Sequence, residues 1–187
     1  MLILASASPR RAELLRNAGF EFRVAPAHVP EYPLPGEEPA RYVERLARSK
    51  AQAVAALFPH NTVLAADTTV VLDRQLLEKP RDAADAARML RLLSGRTHQV
   101  ITGVCVIAGA PERLEHEITR VRMDTISESD IENYIATGEP MDKAGAYAIQ
   151  GIASRWISYI EGCYFNVVGL PVGRVYRMLK NGGGKQL

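Results

Sequence analysis

Two serines and two arginines stand where a short apolar run meets an amphipathic segment at the start of the chain. The run Met1–Ala5 leads directly into Ser6, Ser8, Arg10 and Arg11. Either serine can cap a helix, and the free N–H groups of a helix start favour a phosphate. The arginines add paired donors that match phosphate oxygens. These residues predict a strand, a turn and a helix, with either a phosphate site or an ordinary capped helix start beside solvated arginines.

An aspartate interrupts a nearly continuous apolar segment further along the chain. The segment Thr62–Leu72 has the composition of a strand buried on both faces of a sheet, and Asp67 lies in its middle. A buried carboxylate needs a charged partner, hydrogen bonds or a metal ion. We interpret Asp67 either as a catalytic acid or base or a Mg²⁺ ligand, or as part of a bulge or a strand-end cap.

A lysine lies in the apolar stripe of a helix predicted over Pro39–Leu57. Lys50 is seven residues after Val43, so it points into the same face of the helix. An unpaired buried lysine is costly, and we therefore favour a buried negative partner over a side chain that extends past its neighbours to water. Leu57 is assigned to the same apolar stripe, and Glu44 to the opposite, solvated face.

Two further stretches hold polar residues in irregular backbone. Lys79 precedes Pro80, so its backbone should be extended, and it is either a solvated lysine or a second cation for phosphates. The segment Glu139–Gly151 breaks every regular period and holds Asp142 and Gln150. A structured loop of this kind is a suitable place for a ligand, although its charged residues are also typical of a solvated loop.

The remaining patterns predict the elements that must position these residues. Further strands are predicted over Phe20–Val24, Thr97–Ala108, Glu115–Asp124 and Ser154–Ile160. Further helices are predicted over Asp82–Leu93, Ser127–Thr137 and Pro171–Leu179. The proline-rich segment 25–38 is predicted to be a loop, and Asp73–Gln75 a hairpin turn.

Composition bounds the class of protein. The chain has 187 residues, of which 47% are hydrophobic, and a net charge of +2. The length is enough for one domain, or for one domain with lobes, over residues 1–180, and we expect a flexible tail over residues 181–187. The small net charge favours neither nucleic acid nor a membrane surface, and neither a membrane span nor a secretion signal is recognised. Cys105 and Cys163 lack metal or redox spacing, so reduced thiols in a cytoplasmic protein are expected.

Six motifs, in order along nearly the whole chain, resemble one known family. They are Ser6–Arg11, Ala66–Thr68, Glu78–Asp82, Ser94–His98, Gly138–Pro140 with Asp142–Gly151, and Val168–Pro171. Each motif alone is weak, but the six at compatible spacing are specific. Together they resemble the Maf family of nucleoside triphosphate pyrophosphatases, and in detail the subgroup that acts on dTTP and UTP.

The resemblance implies a fold and an activity. The implied fold is α/β, a mixed twisted sheet flanked by helices with two lobes around a central cleft, of the Maf and ITPase-like type. The implied activity is hydrolysis of dTTP or UTP, with modified pyrimidine nucleotides as further substrates, to the monophosphate and pyrophosphate. A divalent metal, Mg²⁺ with Mn²⁺ as a substitute, and a homodimer are implied as well.

The resemblance also implies roles for individual residues. Asp67 is the proton acceptor that activates water, and Lys50 and Lys79 complete the catalytic set. Substrate is bound by Ser8, Arg10, Arg11, Thr68 and Gln150. The pyrimidine preference is linked to Arg10, Thr68 and Gln150, and an amide such as that of Gln150 can pair with both a donor and an acceptor on a uracil or thymine edge. Metal is assigned to Glu31, Asp67 and Asp142.

Two other functions remain open at this point. One is a nucleotide-binding regulator of septum formation with little turnover, although the presence of Asp67, Lys50 and Lys79 favours an enzyme. The other is a house-cleaning pyrophosphatase for modified purine nucleotides, against which Gln150 and Thr68 argue weakly.

Overall fold

The computed structural model describes residues 1–109 and 111–180, so the tail predicted over residues 181–187 lies outside the described residues. The strands are β1 Leu2–Leu4, β2 Phe22–Val24, β3 Thr62–Leu72, β4 Gln75–Leu77, β5 Thr97–Ile107, β6 Arg113–Met123 and β7 Ile157–Glu161. The α-helices are α1 Pro9–Asn17, α2 Pro39–Ala55, α3 Ala83–Leu93, α4 Glu128–Ala136, α5 Tyr164–Val168 and α6 Val172–Lys180. Short 3₁₀ turns occupy Glu139–Asp142, Ala144–Ala146 and Ile152–Trp156.

The strands form one mixed sheet, which confirms the predicted α/β class. Its order is β2-β1-β3-β5-β6-β7, and β4 pairs with β3. Strand β1 is parallel to both β2 and β3, whereas the β3–β4 and β6–β7 pairs are antiparallel. The β3–β4 hairpin turns at Asp73 and Arg74, which both adopt positive φ angles, of 49° and 68°. This backbone is that of a tight hairpin turn.

Side-chain caps fix three helix starts. Ser8 caps α1 by accepting from the backbone N–H of Arg11, Asp82 caps α3, and Ser127 caps α4. The sequence left the choice between Ser6 and Ser8 open, and the structure assigns the cap to Ser8. Each cap satisfies a backbone donor that the helix itself cannot pair, so the chain has a defined entry into each helix.

The chain divides into two compact units, each discontinuous in sequence. Unit 1 contains Met1–Asp67, Thr102–Glu117 and the described part of Gly169–Leu187. Its apolar cluster joins the sheet to α2 through Ile3, Ala5, Ala47, Ala51, Val54, Val63, Ala65 and Cys105. At Gly103 the backbone of α2 lies so close to β5 that a Cβ atom would overlap the carbonyl group of Val43 and the N atom of Glu44. Glycine is therefore needed for this helix to approach the strand.

Unit 2 contains Thr68–Ile101 and Ile118–Val168 and has the larger apolar cluster. Helices α3 and α4 pack there with side chains of β3, β5 and β6, and Trp156 belongs to this core. The indole ring meets the ring of Tyr134 edge to face, with centroids 5.4 Å apart. Such aromatic pairs add to the stabilisation that burial of apolar area provides.

Three local predictions were wrong, and one helix was missed. Leu57 is 74% exposed because α2 ends at Ala55, before the apolar stripe reaches it. Glu44 is buried, since its carboxylate finds a partner on a distant strand. Strand β7 starts only at Ile157 because a 3₁₀ turn precedes it, and the short helix Tyr164–Val168 was not predicted.

The state of the two cysteines agrees with the expectation of reduced thiols. Cys105 and Cys163 are both free, and burial raises the pKa of Cys105 to about 12. Within the described ranges, no helix combines the length and the apolar character that crossing a bilayer would require.

Candidate functional site

A buried lysine joins two carboxylates in unit 1. The Nζ atom of Lys50 lies 2.6 Å from Oδ1 of Asp67 and 2.6 Å from Oε1 of Glu31. The side chains of Lys50 and Asp67 are only 10% and 9% exposed, whereas that of Glu31 is 44% exposed. The prediction that Lys50 reaches a buried negative partner is confirmed. The cluster runs from the interior to the surface, so its open side is the side of Glu31.

Three elements of unit 1 place these side chains. Helix α2 carries Lys50 on the face that packs on the sheet, and β3 carries Asp67. Strand β3 is held beside β1 in parallel register, and Ala5 N–H donates to the carbonyl of Leu64 over 2.8 Å. Asp67 therefore sits just beyond the point where β1 ends. This is the carboxyl end of β1 and of its parallel neighbour β2. The carboxyl ends of parallel strands are a common place for ligand sites in α/β proteins.

The proline-rich loop that carries Glu31 is fastened by an arginine of α2. Arg45 donates through Nη2 to the carbonyl of Tyr32 over 2.9 Å, and through Nε and Nη2 to both carboxylate oxygens of Glu37 over 2.7 Å. The hydrogen bonds from Arg45 lower the pKa of Glu37. This two-point contact fixes the backbone next to Glu31, because a guanidinium group meets a carboxylate in one preferred geometry.

The arginines predicted at the start of α1 lie in the same unit. Arg11 donates through Nε to the carbonyl of Gly169 over 2.9 Å and through Nη1 to Oγ of Ser6 over 3.1 Å. The pKa of Arg11 is lowered chiefly by burial, while the negative charges of Asp67 and Glu31 act in the opposite direction. The Ser6 hydroxyl also accepts from the N–H of Ser8 over 3.2 Å. The guanidinium is thus held rigidly in the electrostatic field of the carboxylate pair.

The donor set of unit 1 suits a phosphate with a hard cation. Lys50, Arg10 and Arg11 supply positive charge, and Glu31 and Asp67 supply carboxylate oxygens that meet at one ammonium group. Carboxylate oxygens are the ligands that Mg²⁺ and similar ions prefer. In the described part of the chain, no group of three or more His, Cys, Asp or Glu side chains is arranged to hold a metal ion. A cation bound here would therefore complete its shell with phosphate oxygens and water, as Mg²⁺ commonly does.

The other predicted site residues belong to unit 2. Thr68 follows Asp67 in β3 and is half-buried. Lys79 and Gln150 are exposed. Asp142 is also exposed and accepts from Nζ of Lys143. The segment that carries Lys79 is hydrogen-bonded to the irregular segment Glu139–Gly151, since the N–H of Gly145 donates to the carbonyl of Glu78 over 3.2 Å.

Sequence reasoning missed two supporting contacts in unit 1. Glu44 accepts from Arg41 over 2.9 Å and lies 2.8 Å from Nδ1 of His116 on β6. The pair of hydrogen bonds from Arg45 to the carboxylate of Glu37 was also missed. Arg41 is one helical turn from Glu44, but the contacts with His116 and with Glu37 join residues that share no period, and the sequence pattern therefore could not predict them.

Comparison with known proteins agrees with the geometry. The sequence model of the family described as Maf-like protein matches residues 1–182. The dTTP/UTP pyrophosphatase of Koribacter versatilis (strain Ellin345) is 62% identical over 182 residues, which cover 97% of this chain and 94% of that protein. Proteins of the same name from Symbiobacterium thermophilum and Syntrophomonas wolfei subsp. wolfei are 53% and 52% identical over 182 residues, covering 97% and 96% of this chain and 94% and 96% of those proteins.

Proposed function

This chain belongs to the Maf family, and from that premise we propose that it is a nucleoside triphosphate pyrophosphatase that hydrolyses dTTP and UTP. The observation that carries the proposal is the buried contact of Lys50 with Asp67 and Glu31. Burying the charges of Lys50 and Asp67 is costly, and buried charges of this kind are enriched at functional sites. The full-length similarity to proteins named dTTP/UTP pyrophosphatase supports the substrate assignment.

The proposed reaction is attack of water on the α-phosphorus. The bond from that phosphorus to the oxygen bridging the α and β phosphates breaks, and pyrophosphate leaves with the electron pair. Asp67 accepts the proton of the attacking water through its carboxylate, while Lys50 holds that carboxylate through Oδ1. Orientation of the water in line with the leaving group is the main requirement, since this chemistry depends on positioning and charge stabilisation.

Cationic side chains bind the phosphates in this proposal. Arg10 and Arg11 donate to phosphate oxygens at the start of α1, where the backbone N–H groups also favour an anion. Because Arg11 is already fixed by Ser6 and the carbonyl of Gly169, little of its side-chain freedom is lost on binding. Lys79 provides a further positive charge for the leaving pyrophosphate. These charges stabilise the negative charge that develops as the bond breaks.

We also assign a divalent cation to the reaction, Mg²⁺ with Mn²⁺ as a substitute. Glu31, Asp67 and Asp142 would hold it, together with oxygens of the substrate. The contact of Glu31 and Asp67 with one ammonium group shows that this part of the protein already accommodates a cation between carboxylates. When bound, such an ion neutralises phosphate charge.

Base selection is assigned to Thr68, Gln150 and Arg10. The primary amide of Gln150 can donate and accept at once, which matches the alternating N–H and carbonyl groups of uracil and thymine. Its exposure leaves the amide available to a ligand. The protein is further proposed to act in the cytoplasm as a homodimer, which size-exclusion chromatography with light scattering would test.

The function is tested by pyrophosphate release from a panel of ribo- and deoxyribonucleoside triphosphates. The assay is run with Mg²⁺ and with a chelator, on the wild type, Asp67→Asn and Asp73→Asn. Asp73 is a matched control, since it is exposed in the β3–β4 turn at a positive φ that asparagine tolerates. Metal-dependent release from dTTP and UTP, lost only in Asp67→Asn, is the expected result. Release mainly from purine triphosphates would reject the substrate assignment, and no release from any triphosphate would reject the enzyme.

A further inference from the structure

A partly buried relay of hydrogen bonds in unit 2, from Tyr134 through Glu139 to the backbone, has no part in the proposed chemistry. The hydroxyl of Tyr134, on α4, donates to Oε1 of Glu139 over 2.8 Å and accepts from the N–H of Ala148 over 3.3 Å. The carboxylate of Glu139 in turn accepts from the N–H of Ile152, over 3.1 Å to Oε1 and 3.4 Å to Oε2. The relay therefore holds the backbone on both sides of Gln150.

The backbone of this segment is shaped to fit the relay. A Cβ atom at position 151 would overlap the carboxylate group of Glu139, so glycine at this position lets that carboxylate lie against the backbone. Burial and the hydrogen bond to Glu139 raise the pKa of Tyr134, which keeps the hydroxyl protonated as a donor. Its ring is fixed by the edge-to-face contact with Trp156. The relay is thus a rigid part of the core of unit 2.

A second buried contact fixes the same segment at Tyr147, three residues before Gln150. The hydroxyl of Tyr147 lies 2.7 Å from Nε2 of His98, and the two rings meet edge to face with centroids 5.3 Å apart. Tyr147 and Ile149 are buried, whereas Gln150 is exposed. The result is one exposed amide on a backbone that is anchored at Tyr147, Ala148 and Ile152.

We propose that Tyr134 and Glu139 are positioning residues that fix the Gln150 segment and thereby set selectivity for uracil and thymine over cytosine. The proposal rests on the proposed function, because it takes Gln150 as the group that contacts the base. Hydrogen-bond recognition of a base edge depends on donor and acceptor placement within fractions of an ångström. An amide on a mobile loop would adapt to cytosine, whose edge has a donor in place of the acceptor at position 4 and an acceptor in place of the donor at position 3.

The test compares kcat and KM for UTP and CTP in the wild type, Tyr134→Phe, Gln150→Ala and the double variant. Tyr134→Phe removes only the hydroxyl and keeps the ring that packs on Trp156. Its matched control is Tyr159→Phe, since the Tyr159 side chain is 63% exposed on β7 of the same unit. We expect the UTP-to-CTP ratio of kcat/KM to fall about ten- to a hundredfold in Tyr134→Phe, mainly through KM for UTP, as small misplacements of a binding group can cost this much.

The double variant separates positioning from general loss of structure. In the Gln150→Ala background, Tyr134→Phe should leave the UTP-to-CTP ratio unchanged, because the group that it positions is gone. An unchanged ratio in Tyr134→Phe, a loss that is equal for both nucleotides, or an additive loss in the double variant would each overturn the proposal. So would a Gln150→Ala enzyme that keeps the wild-type ratio. By contrast, a wild type that releases no pyrophosphate would refute the enzyme itself.

A second pair of variants, at Glu139, tests the proposal independently in case Tyr134→Phe folds poorly. Glu139→Ala removes both acceptor oxygens, whereas Glu139→Gln keeps the shape and one of them. We expect the UTP-to-CTP ratio of kcat/KM in Glu139→Gln to lie between the ratios of Glu139→Ala and the wild type. We also expect the backbone amides of Ala148 and Ile152 to exchange hydrogen faster in Glu139→Ala than in the wild type. Equal ratios in both variants and the wild type would contradict the relay. Glu132→Gln, an exposed change on α4 with the same loss of charge, is the control.

Discussion

At the scale of single residues, Lys50 has the strongest claim to a role beyond packing. Its neighbours on α2 are buried and apolar, so a methionine would fill the same space with better transfer energetics. The lysine is instead paired with Asp67 and Glu31. Without Lys50, the carboxylates of Glu31 and Asp67 would lose the positive charge that lies between them. Asp67 would then be buried without its ammonium partner.

We predict that Lys50→Met folds, with a free energy of unfolding lower by about 3 kcal/mol, and loses pyrophosphate release by more than about a hundredfold. Circular dichroism, urea denaturation and the nucleotide assay measure the three quantities. Lys180→Met is the control, because Lys180 is exposed at the end of α6. A folded Lys50→Met protein with wild-type turnover would show that the lysine has only a structural role.

The same residues show how far the sequence alone could lead. The burial of Asp67 and the need of Lys50 for a buried negative partner followed from the apolar runs around each residue, but the pairing of these two residues with each other did not. The second partner could not be derived in this way, because Glu31 lies in a loop whose path depends on Arg45, Tyr32 and Glu37. Periodicity locates a buried face, but it carries no information on which distant chain segment meets that face.

At the scale of elements, α2 positions most of the unit 1 site. It carries Lys50 inward and fastens the loop of Glu31 through Arg45. Its bounds were predicted within two residues, since Pro39 and the apolar stripe define the helix. The close approach of α2 to β5 was not predictable from the sequence, because it depends on the absence of a side chain at Gly103 on β5.

We predict that Arg45→Lys lowers turnover about tenfold while changing the free energy of unfolding by only about 1 kcal/mol. Lysine cannot reproduce the two-point contact with Glu37 and the contact with the carbonyl of Tyr32, so the loop of Glu31 loses its fixed path. The pair is partly exposed, which limits its contribution to stability. The nucleotide assay and urea denaturation measure the two effects.

The control for this prediction is Arg91→Lys. Arg91 forms the same kind of two-point contact, with Glu128, outside the candidate site. An equal effect of both substitutions on turnover would contradict the assignment of Arg45 to loop placement.

We predict that Gly103→Ala destabilises the protein by about 1–3 kcal/mol, because the added methyl group would push α2 away from β5. Gly173→Ala is the matched control. Position 173 lies in α6, where the nearest atom to a Cβ is 3.8 Å away, so alanine should stabilise the helix by up to about 1 kcal/mol. Urea denaturation of both variants should give shifts of opposite sign. A neutral Gly103→Ala would mean that α2 can move without loss of packing.

At the scale of the whole molecule, the fold class followed from the sequence, but the bounds of the two compact units did not. The strands Thr62–Leu72 and Thr97–Ile107 were recognised almost to the residue, since apolar runs and turn residues mark their ends. Each of them nevertheless contributes to both units. The division depends on which helices pack against each part of a strand, and local patterns contain no such information.

Stability toward acid provides a test of the core of unit 2 through His98. Its ring is 2% exposed, with Nε2 beside the hydroxyl of Tyr147, and within residues 1–109 and 111–180 its Nδ1 has no hydrogen-bond partner. Burial lowers the pKa of His98 from 6.5 to about 4. The unfolded chain therefore binds this proton more readily than the folded protein, so stability falls as the pH drops through the window between these two values.

We predict that the free energy of unfolding falls by about 2 kcal/mol between about pH 7 and about pH 5, and that most of this dependence disappears in His98→Gln. Groups whose pKa is lowered by hydrogen bonds to arginine, such as Asp85 and Glu37, lose their contribution only at lower pH, which keeps the two effects apart. Urea denaturation at a series of pH values measures the slope, and His60→Gln, an exposed histidine, is the control. A wild-type stability that stays constant over this range, or one that falls equally in His98→Gln, would mean that the folded protein accepts a proton at His98 without opening its core.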